Sequence, residues 1–243
     1  EQDESKLQSI SEGSVRGQIL AEATNLARDM VNEPSNQMTP TLMAELANKI
    51  AQQNGLEIQI MERPELEALG MGAYLGVAKG STQEPKFIIL KYPGDPNNSS
   101  NNIGLVGKSI TFDTGGISLK AGAGMEDMKG DMAGGAAVIS AMYAIGLLKP
   151  KINVTAMMPA TENMPGGSAQ KPGDLARAMN GKTIEVVNTD AEGRLAMADA
   201  LCYGRHIGMS RLIDIATLTG AIRAALGTIC CGGFTNNQYL MEK

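Results

Sequence analysis

Apolar positions Ile19, Leu20, Ala23, Leu26, Ala27 and Met30 recur at helical spacing, so residues 14–31 read as an amphipathic helix. Polar Asn32-Glu33-Pro34-Ser35-Asn36 breaks it, and Thr39-Pro40-Thr41 opens a second helix that runs to Gln53 before the Asn54-Gly55 turn. Alternation over 56–61 predicts a strand, and Pro64 a short helix after it. Residues 87–92 and 103–107 are continuous apolar runs suited to central strands, with a polar loop at 93–102 between them. A Gly-rich stretch (109–131) leads into a helix over 132–148, a strand at 152–159 and a long loop at 161–173. Then come a helix starting at Gly173, a strand at 183–187, a helix near 195–206 and a strand at 212–216. Strands and helices alternate and the crossovers are long. That pattern predicts an α/β fold, a three-layer α/β/α sandwich with a mixed, largely parallel central sheet. No repeat, linker or compositional break divides residues 1–243, which read as one domain.

Composition narrows the chemistry. The 243 residues are 43% apolar, enough for a sizeable core. Against 26 Asp and Glu stand 21 Lys and Arg, so the net charge of −5 gives no general attraction to nucleic-acid phosphates. Cys202, Cys230 and Cys231 cannot build a disulfide framework and read as reduced thiols of a cytosolic protein. The polar start at Glu1 shows no leader pattern, and the uncharged run 132–148, interrupted by Gly134, Gly135, Ser140 and Gly146, reads as a helix buried in protein rather than a membrane span. A single histidine, His206, excludes two-imidazole mechanisms and His-rich zinc sites. Its place at the end of a predicted helix suits a structural role. Any catalytic metal must then be held mainly by carboxylates. The glycine pairs at 122–124 and 134–135 match neither a P-loop nor a dinucleotide fingerprint.

Loops that follow strands carry the ligand sites of such sheets. Two of them are loaded with charge: Lys108 to Lys120 followed by Asp131, and Asn188-Thr189-Asp190-Ala191-Glu192-Gly193-Arg194. Asp113, Asp131, Asp190 and Glu192 at neighbouring strand ends would repel one another and raise each other's pKa unless cations neutralised them. Lys108, Lys120, Arg194 or divalent metals are all able to do so. Taken singly, Asp190 and Glu192 also suit an ordinary helix start. Together the four acids point to a carboxylate-rich metal site in an α/β enzyme, with no substrate named.

The segments NTDAEGRL (188–195), VGKSITFDTGGISLK (106–120), MEDMKGDMAGG (125–135), ENMPGGSAQKPGD (162–174) and DIATLTGA (214–221) carry a more specific likeness. In order and spacing they resemble the blocks of the leucyl aminopeptidase family, the M17 peptidases. The likeness covers nearly the whole chain and is weakest before residue 60. It implies two divalent metals, zinc or manganese, with magnesium also exchangeable at one position. Asp113, Asp131 and Glu192 with Lys108 would hold one, and Asp113, Asp190 and Glu192 the other. As a ligand Lys108 must be a neutral amine. The resemblance makes Lys120 the stabiliser of the oxyanion and Arg194 the holder of a bicarbonate that passes a proton. Leu218 and Gly220 would offer backbone groups to the substrate, while Met128, Thr217 and Gly220 would line the pocket for its first side chain.

The implied reaction is metal-assisted hydrolysis of the first bond of peptides with a free N-terminus, leucine-type residues favoured. The implied setting is a cytoplasmic hexamer of the full-length protein, with neither nucleic acid nor membrane as partner. Ser109 stands where the family usually has Gly, and Ala121 where many members have Pro. By the same likeness, an N-terminal domain and a further C-terminal stretch are expected beyond these residues, and Lys243 falls within an expected helix. Two other readings use the same features: a DNA-binding architectural protein, which the net charge opposes, and a metal-dependent phosphoryl-transfer enzyme.

Overall fold

Four successive side chains of β2 (Lys86–Pro93), Phe87, Ile88, Ile89 and Leu90, are fully buried in the computed structural model, which describes residues 4–242. A strand can be apolar at every position only where both sheet faces are covered. Phe87 and Ile89 enter one core with Met61, Tyr74, Val106, Ile110, Leu195 and Tyr203. Ile88 and Leu90 enter a second with Met43, Ala47, Ile50, Ile139 and Met158. The period of two along β2 thus serves two separate cores, one on each side of the sheet. This is the α/β/α sandwich that the sequence pattern predicts.

The sheet runs in the order β1 (Glu57–Met61), β2, β5 (Asn153–Asn163), β3 (Asn102–Gly107), β8 (Leu212–Ile215), with β4 (Ser109–Asp113) also on β5. Pairings of β3 with β5, β3 with β8 and β4 with β5 are parallel, while β1 with β2 and β2 with β5 are antiparallel. One face carries α1 (Leu7–Asn32), α2 (Pro40–Asn54) and α5 (Ala133–Leu148). The other carries α3 (Arg63–Ala68), α4 (Gly72–Ala78) and α6 (Glu192–His206). Local signals explain the helix ends. Thr39 caps α2, its hydroxyl accepting from the Leu42 amide at 3.2 Å, Pro40 is the first helical residue, and Gly55 closes the helix at φ 67°. His206 is the last residue of α6, as its sequence position suggests.

The long strand β5 organises the site. Its first half pairs with β3 and its second half with β4, so the chain passes from β3 to β4 with a break at Lys108. The N-terminal end of α5 presses on that break. A Cβ at Gly134 would lie 2.0 Å from the Ile215 carbonyl oxygen, so only glycine admits this approach. Residues Met125–Leu148 form the one helical run among the described residues long and apolar enough to cross a membrane, and most of it is buried inside the protein.

Several elements differ from the sequence reading. α1 begins at Leu7 rather than 14, and its first half is exposed. The Gly-rich stretch 109–131 contains β4 and a 3-10 turn, Met125–Gly130. No helix starts at Gly173. Instead β6 (Leu175–Arg177) pairs antiparallel with β7 (Thr183–Glu185) in a two-stranded ribbon apart from the main sheet. The reason is the Asn180-Gly181 turn, in which Gly181 takes φ 81° and donates to the Ala178 carbonyl at 2.8 Å. The 183–187 run is therefore not a strand of the central sheet. At the other edge, α7 (Gly220–Leu226) and α8 (Gln238–Met241) contain no buried residue. Lys243, expected within a helix, lies outside the described residues.

Candidate metal centre

Four backbone segments bring the charged residues together. The break between β3 and β4 supplies Lys108, and the end of β4 supplies Asp113. Asp131 follows the 3-10 turn Met125–Gly130, its amide donating to the Met128 carbonyl at 3.2 Å. A second 3-10 turn, Thr189–Ala191, holds Asp190, and α6 opens on Glu192. The Asn188 side chain fixes that turn by accepting from the Asp190 amide at 2.9 Å. The last two acids thus follow the ribbon rather than a strand of the main sheet, and they still arrive beside Asp113.

The cluster has two lysines, each between two acids. Lys108 Nζ lies 2.7 Å from Asp131 Oδ2 and 2.8 Å from Glu192 Oε1. It also donates to the Thr217 carbonyl at 3.2 Å. Lys120 Nζ lies 2.8 Å from Asp113 Oδ2 and 2.5 Å from Asp190 Oδ1. Gly193 is what lets α6 pass over Lys108: a Cβ there would sit 2.6 Å from Lys108 Cε.

Burial sets the electrostatics. It pulls the Lys108 ammonium down, but Asp131 and Glu192 outweigh it and leave the pKa above the ordinary lysine value. Lys120 is raised in the same way, with Asp113 and Asp190 overcoming its partial burial. Burial pushes Asp131 up to about 7, Lys108 opposing and Glu192 adding repulsion. Glu192 is raised as well, first by burial, with Lys108 opposing and Asp113 adding repulsion. Two ammonium groups face four carboxylates, so the cluster keeps an excess of negative charge that suits cations.

Its donor set fits a metal. Asp113, Asp190 and Glu192 each offer an oxygen, and the three atoms lie within 4.8 Å of one another. Glu192 Oε2 is buried and accepts no hydrogen bond. Asp131 Oδ2 and Asp190 Oδ1 are also buried without a hydrogen bond, although a lysine ammonium stands close to each. Glu192 Oε2 in particular is a buried acceptor with no donor among the described residues, an opening that suits a cation. A set of oxygens with no imidazole or thiolate suits magnesium and manganese, and zinc also takes carboxylate.

The other residues singled out from the sequence stand at graded distances from this centre. Thr217 belongs to it, its hydroxyl donating to Asp131 Oδ1 at 2.8 Å. Leu218 overlies the first turn of α6, its Cδ1 being 3.1 Å from a Cβ built on Gly193. Met128 is half-buried one turn before Asp131, and Gly220 is exposed at the start of α7. Arg194 is exposed on α6, and its guanidinium forms no ion pair among the described residues. Sequence reasoning missed Asn163, which donates to Asp113 Oδ1, and Thr114, whose hydroxyl donates to the Asn163 carbonyl. The block containing Asn163 was visible as a motif, but nothing in it marks that asparagine as buried.

Fold and cluster together define an α/β protein with a carboxylate-rich cluster able to hold a metal ion. Residues 25–243 match the cytosol aminopeptidase family, catalytic domain, and the chain belongs to that family. It is 56% identical over 228 residues to the probable cytosol aminopeptidase of Solibacter usitatus, an alignment covering 94% of this chain and 48% of that relative. To the probable cytosol aminopeptidase of Alkaliphilus oremlandii it is 52% identical over 242 residues, covering 100% of this chain and 48% of the relative. To that of Bacillus licheniformis it is 51% identical over 227 residues, covering 93% and 46%. The chain spans about half the length of the curated relatives it matches.

Proposed function

We propose that this chain carries the catalytic centre of a metal-dependent aminopeptidase that releases the first residue of peptides with a free N-terminus, leucine-type residues favoured. The observation that carries this reading is the meeting of Asp113, Asp190 and Glu192, with Glu192 Oε2 buried and without a hydrogen-bond partner among the described residues, in a member of the cytosol aminopeptidase family. Asp113, Asp131, Glu192 and Lys108 would hold one dication, and Asp113, Asp190 and Glu192 a second; zinc, manganese and magnesium are the candidates. When bound, such a pair lowers the pKa of a coordinated water to about 7 and polarises the scissile carbonyl.

The chain's own residues supply the rest. Lys120 has 23% of its side chain exposed and an elevated pKa, so it offers a permanent positive charge at the open side of the centre. There it stabilises the negative charge that develops on the attacked carbonyl oxygen, an effect worth about 10²–10³ in rate. Lys108 is sealed from solvent and would join the ligands as a neutral amine, its proton released to solvent when a dication takes its place between Asp131 and Glu192. Arg194, whose guanidinium forms no ion pair among the described residues, would hold a bicarbonate, which would supply a base for proton transfer. Backbone groups of Leu218 and Gly220 orient the peptide, and Met128, Thr217 and Gly220 form the pocket for its first side chain. Residues 1–243 act as one metallopeptidase catalytic domain, and the full-length protein works as a cytoplasmic hexamer.

Metal content, measured by elemental analysis alongside leucine p-nitroanilide hydrolysis in the full-length protein, tests this reading. We expect two dications per chain, hydrolysis that follows them, and a rate that responds to added bicarbonate. Protein that binds no dication, or that cleaves phosphate esters and leaves the amide intact, overturns it.

A further inference from the structure

Beneath the centre, one neutral side chain ties together the two loops that supply its acids. Asn163 is 4% exposed at the end of β5, where it is the register partner of Asp113 on β4. Its Nδ2 donates to Asp113 Oδ1 at 2.8 Å and to the Thr189 carbonyl at 3.1 Å. Both neighbours are acceptors only, so the nitrogen end of the amide must face them. Both amide hydrogens are thereby used, one on each loop.

The surrounding bonds allow little play. Asp113 Oδ1 also accepts from the Gly115 amide at 2.9 Å. Thr189 Oγ1 donates to the Gly115 carbonyl at 2.7 Å and accepts from the Ser118 amide at 2.8 Å. The Asn163 carbonyl accepts from the Thr114 amide at 3.0 Å and the Thr114 hydroxyl at 2.8 Å. Gly116, at φ 68°, closes over the amide so tightly that a Cβ there would lie 2.8 Å from Asn163 Oδ1. With Oδ1 held by two N–H donors, Asp113 turns Oδ2 toward Lys120, 2.8 Å away, and toward the open oxygens of the cluster.

We infer that Asn163 is a positioning residue of the metal centre: its amide fixes the Asp113 carboxylate and the Thr189–Ala191 turn in the mutual arrangement that cations require. This rests on the metal-centre reading above. Partners that orient a ligating carboxylate in this way typically contribute about 10–100-fold to metal affinity. An aspartate at 163 would place acceptor against acceptor on both sides, so it would loosen the centre despite adding negative charge.

Zinc titration of the metal-stripped full chain by calorimetry tests the assignment, with thermal melts to confirm folding. Asn163→Ala and Asn163→Asp should each weaken zinc binding by about 10–100-fold. In an Asp113→Asn background, Asn163→Ala should cost less than it does in the parent, because part of its effect passes through that carboxylate. Should Asn163→Ala fail to fold, the isosteric Asn163→Asp carries the test. Affinity within about twofold of the parent in a folded variant, tighter binding by Asn163→Asp, or a fully additive loss in the double variant overturns the inference and leaves the metal centre standing. A parent chain that binds no zinc removes the centre itself, and this role with it.

Discussion

Lys108 and Lys120 make the same contact in different surroundings. Each ammonium stands between two carboxylates, Asp131 and Glu192 for the first, Asp113 and Asp190 for the second. The first group is sealed: Lys108 and Glu192 are each 2% exposed. The second opens to solvent, with Asp190 33% exposed. In the sealed half, burial lifts Asp131 to about 7 and raises Glu192. In the open half, the outcome is a lysine whose charge is secure and reachable. One pairing pattern thus yields a neutraliser on the inside and an available charge on the outside, and burial alone separates them.

Removing one of the two acids common to both proposed ligand sets should have the largest effect. Glu192→Ala is expected to abolish metal retention and leucine p-nitroanilide hydrolysis together, read by elemental analysis and by the assay. Two retained ions with parental turnover would break the division of the cluster into ligand sets. Next comes stability. Lys108→Met leaves Asp131 and Glu192 buried without their cation, a defect of about 3–5 kcal/mol. The same change at the partly exposed Lys120 should cost about 1 kcal/mol or less. Urea unfolding of the metal-free chain at neutral pH compares them, and equal losses would show that burial does not separate the halves.

The rate tests what Lys120 does at the open side of the centre. Lys120→Ala is expected to lower kcat by about 10²–10³ with both metals retained, the loss typical of one oxyanion donor. A variant that loses metal in proportion to rate would make Lys120 a contributor to metal binding with no separate role on the oxyanion.

How much of this was legible in the sequence depends on how each residue signals its surroundings. The acids and lysines of the centre were visible because charge concentrated in Gly-rich loops has few ordinary uses. β2 was legible from an apolar run of strand length, and α2 from Thr39, Pro40 and Gly55. By contrast, α4 is buried from Ala73 to Ala78, so it shows no amphipathic period. β4 was hidden because it follows β3 after one residue, with no turn signal between them. The ribbon of β6 and β7 did carry an Asn-Gly signal, which the expected helix at Gly173 overrode. Asn163 gave no sign, since an asparagine at a strand end reads the same whether it faces water or a carboxylate.

Asp199 sharpens the comparison from a third side, as a buried acid with no lysine. It is fully buried on α6, where Oδ2 accepts from the Tyr74 amide at 2.9 Å and Oδ1 from the Met179 amide at 2.8 Å. Burial raises its pKa, and the amides of Met179, Tyr74 and Ala73 offset only part of that. A carboxylate with a raised folded-state pKa contributes its full stability below the unfolded value, near 3.8. That contribution is lost as pH rises through the folded pKa. Asp199→Asn removes the titration but sets an NH2 group against one of the two amide donors, a cost of about 1–2 kcal/mol. Melting temperature followed from acid to neutral pH in the metal-free chain should therefore start lower and depend less on pH than in the parent, while zinc affinity stays unchanged. An unchanged pH slope would mean that backbone amides neutralise this acid as fully as a lysine does, and that burial without a cation leaves no titration signature here.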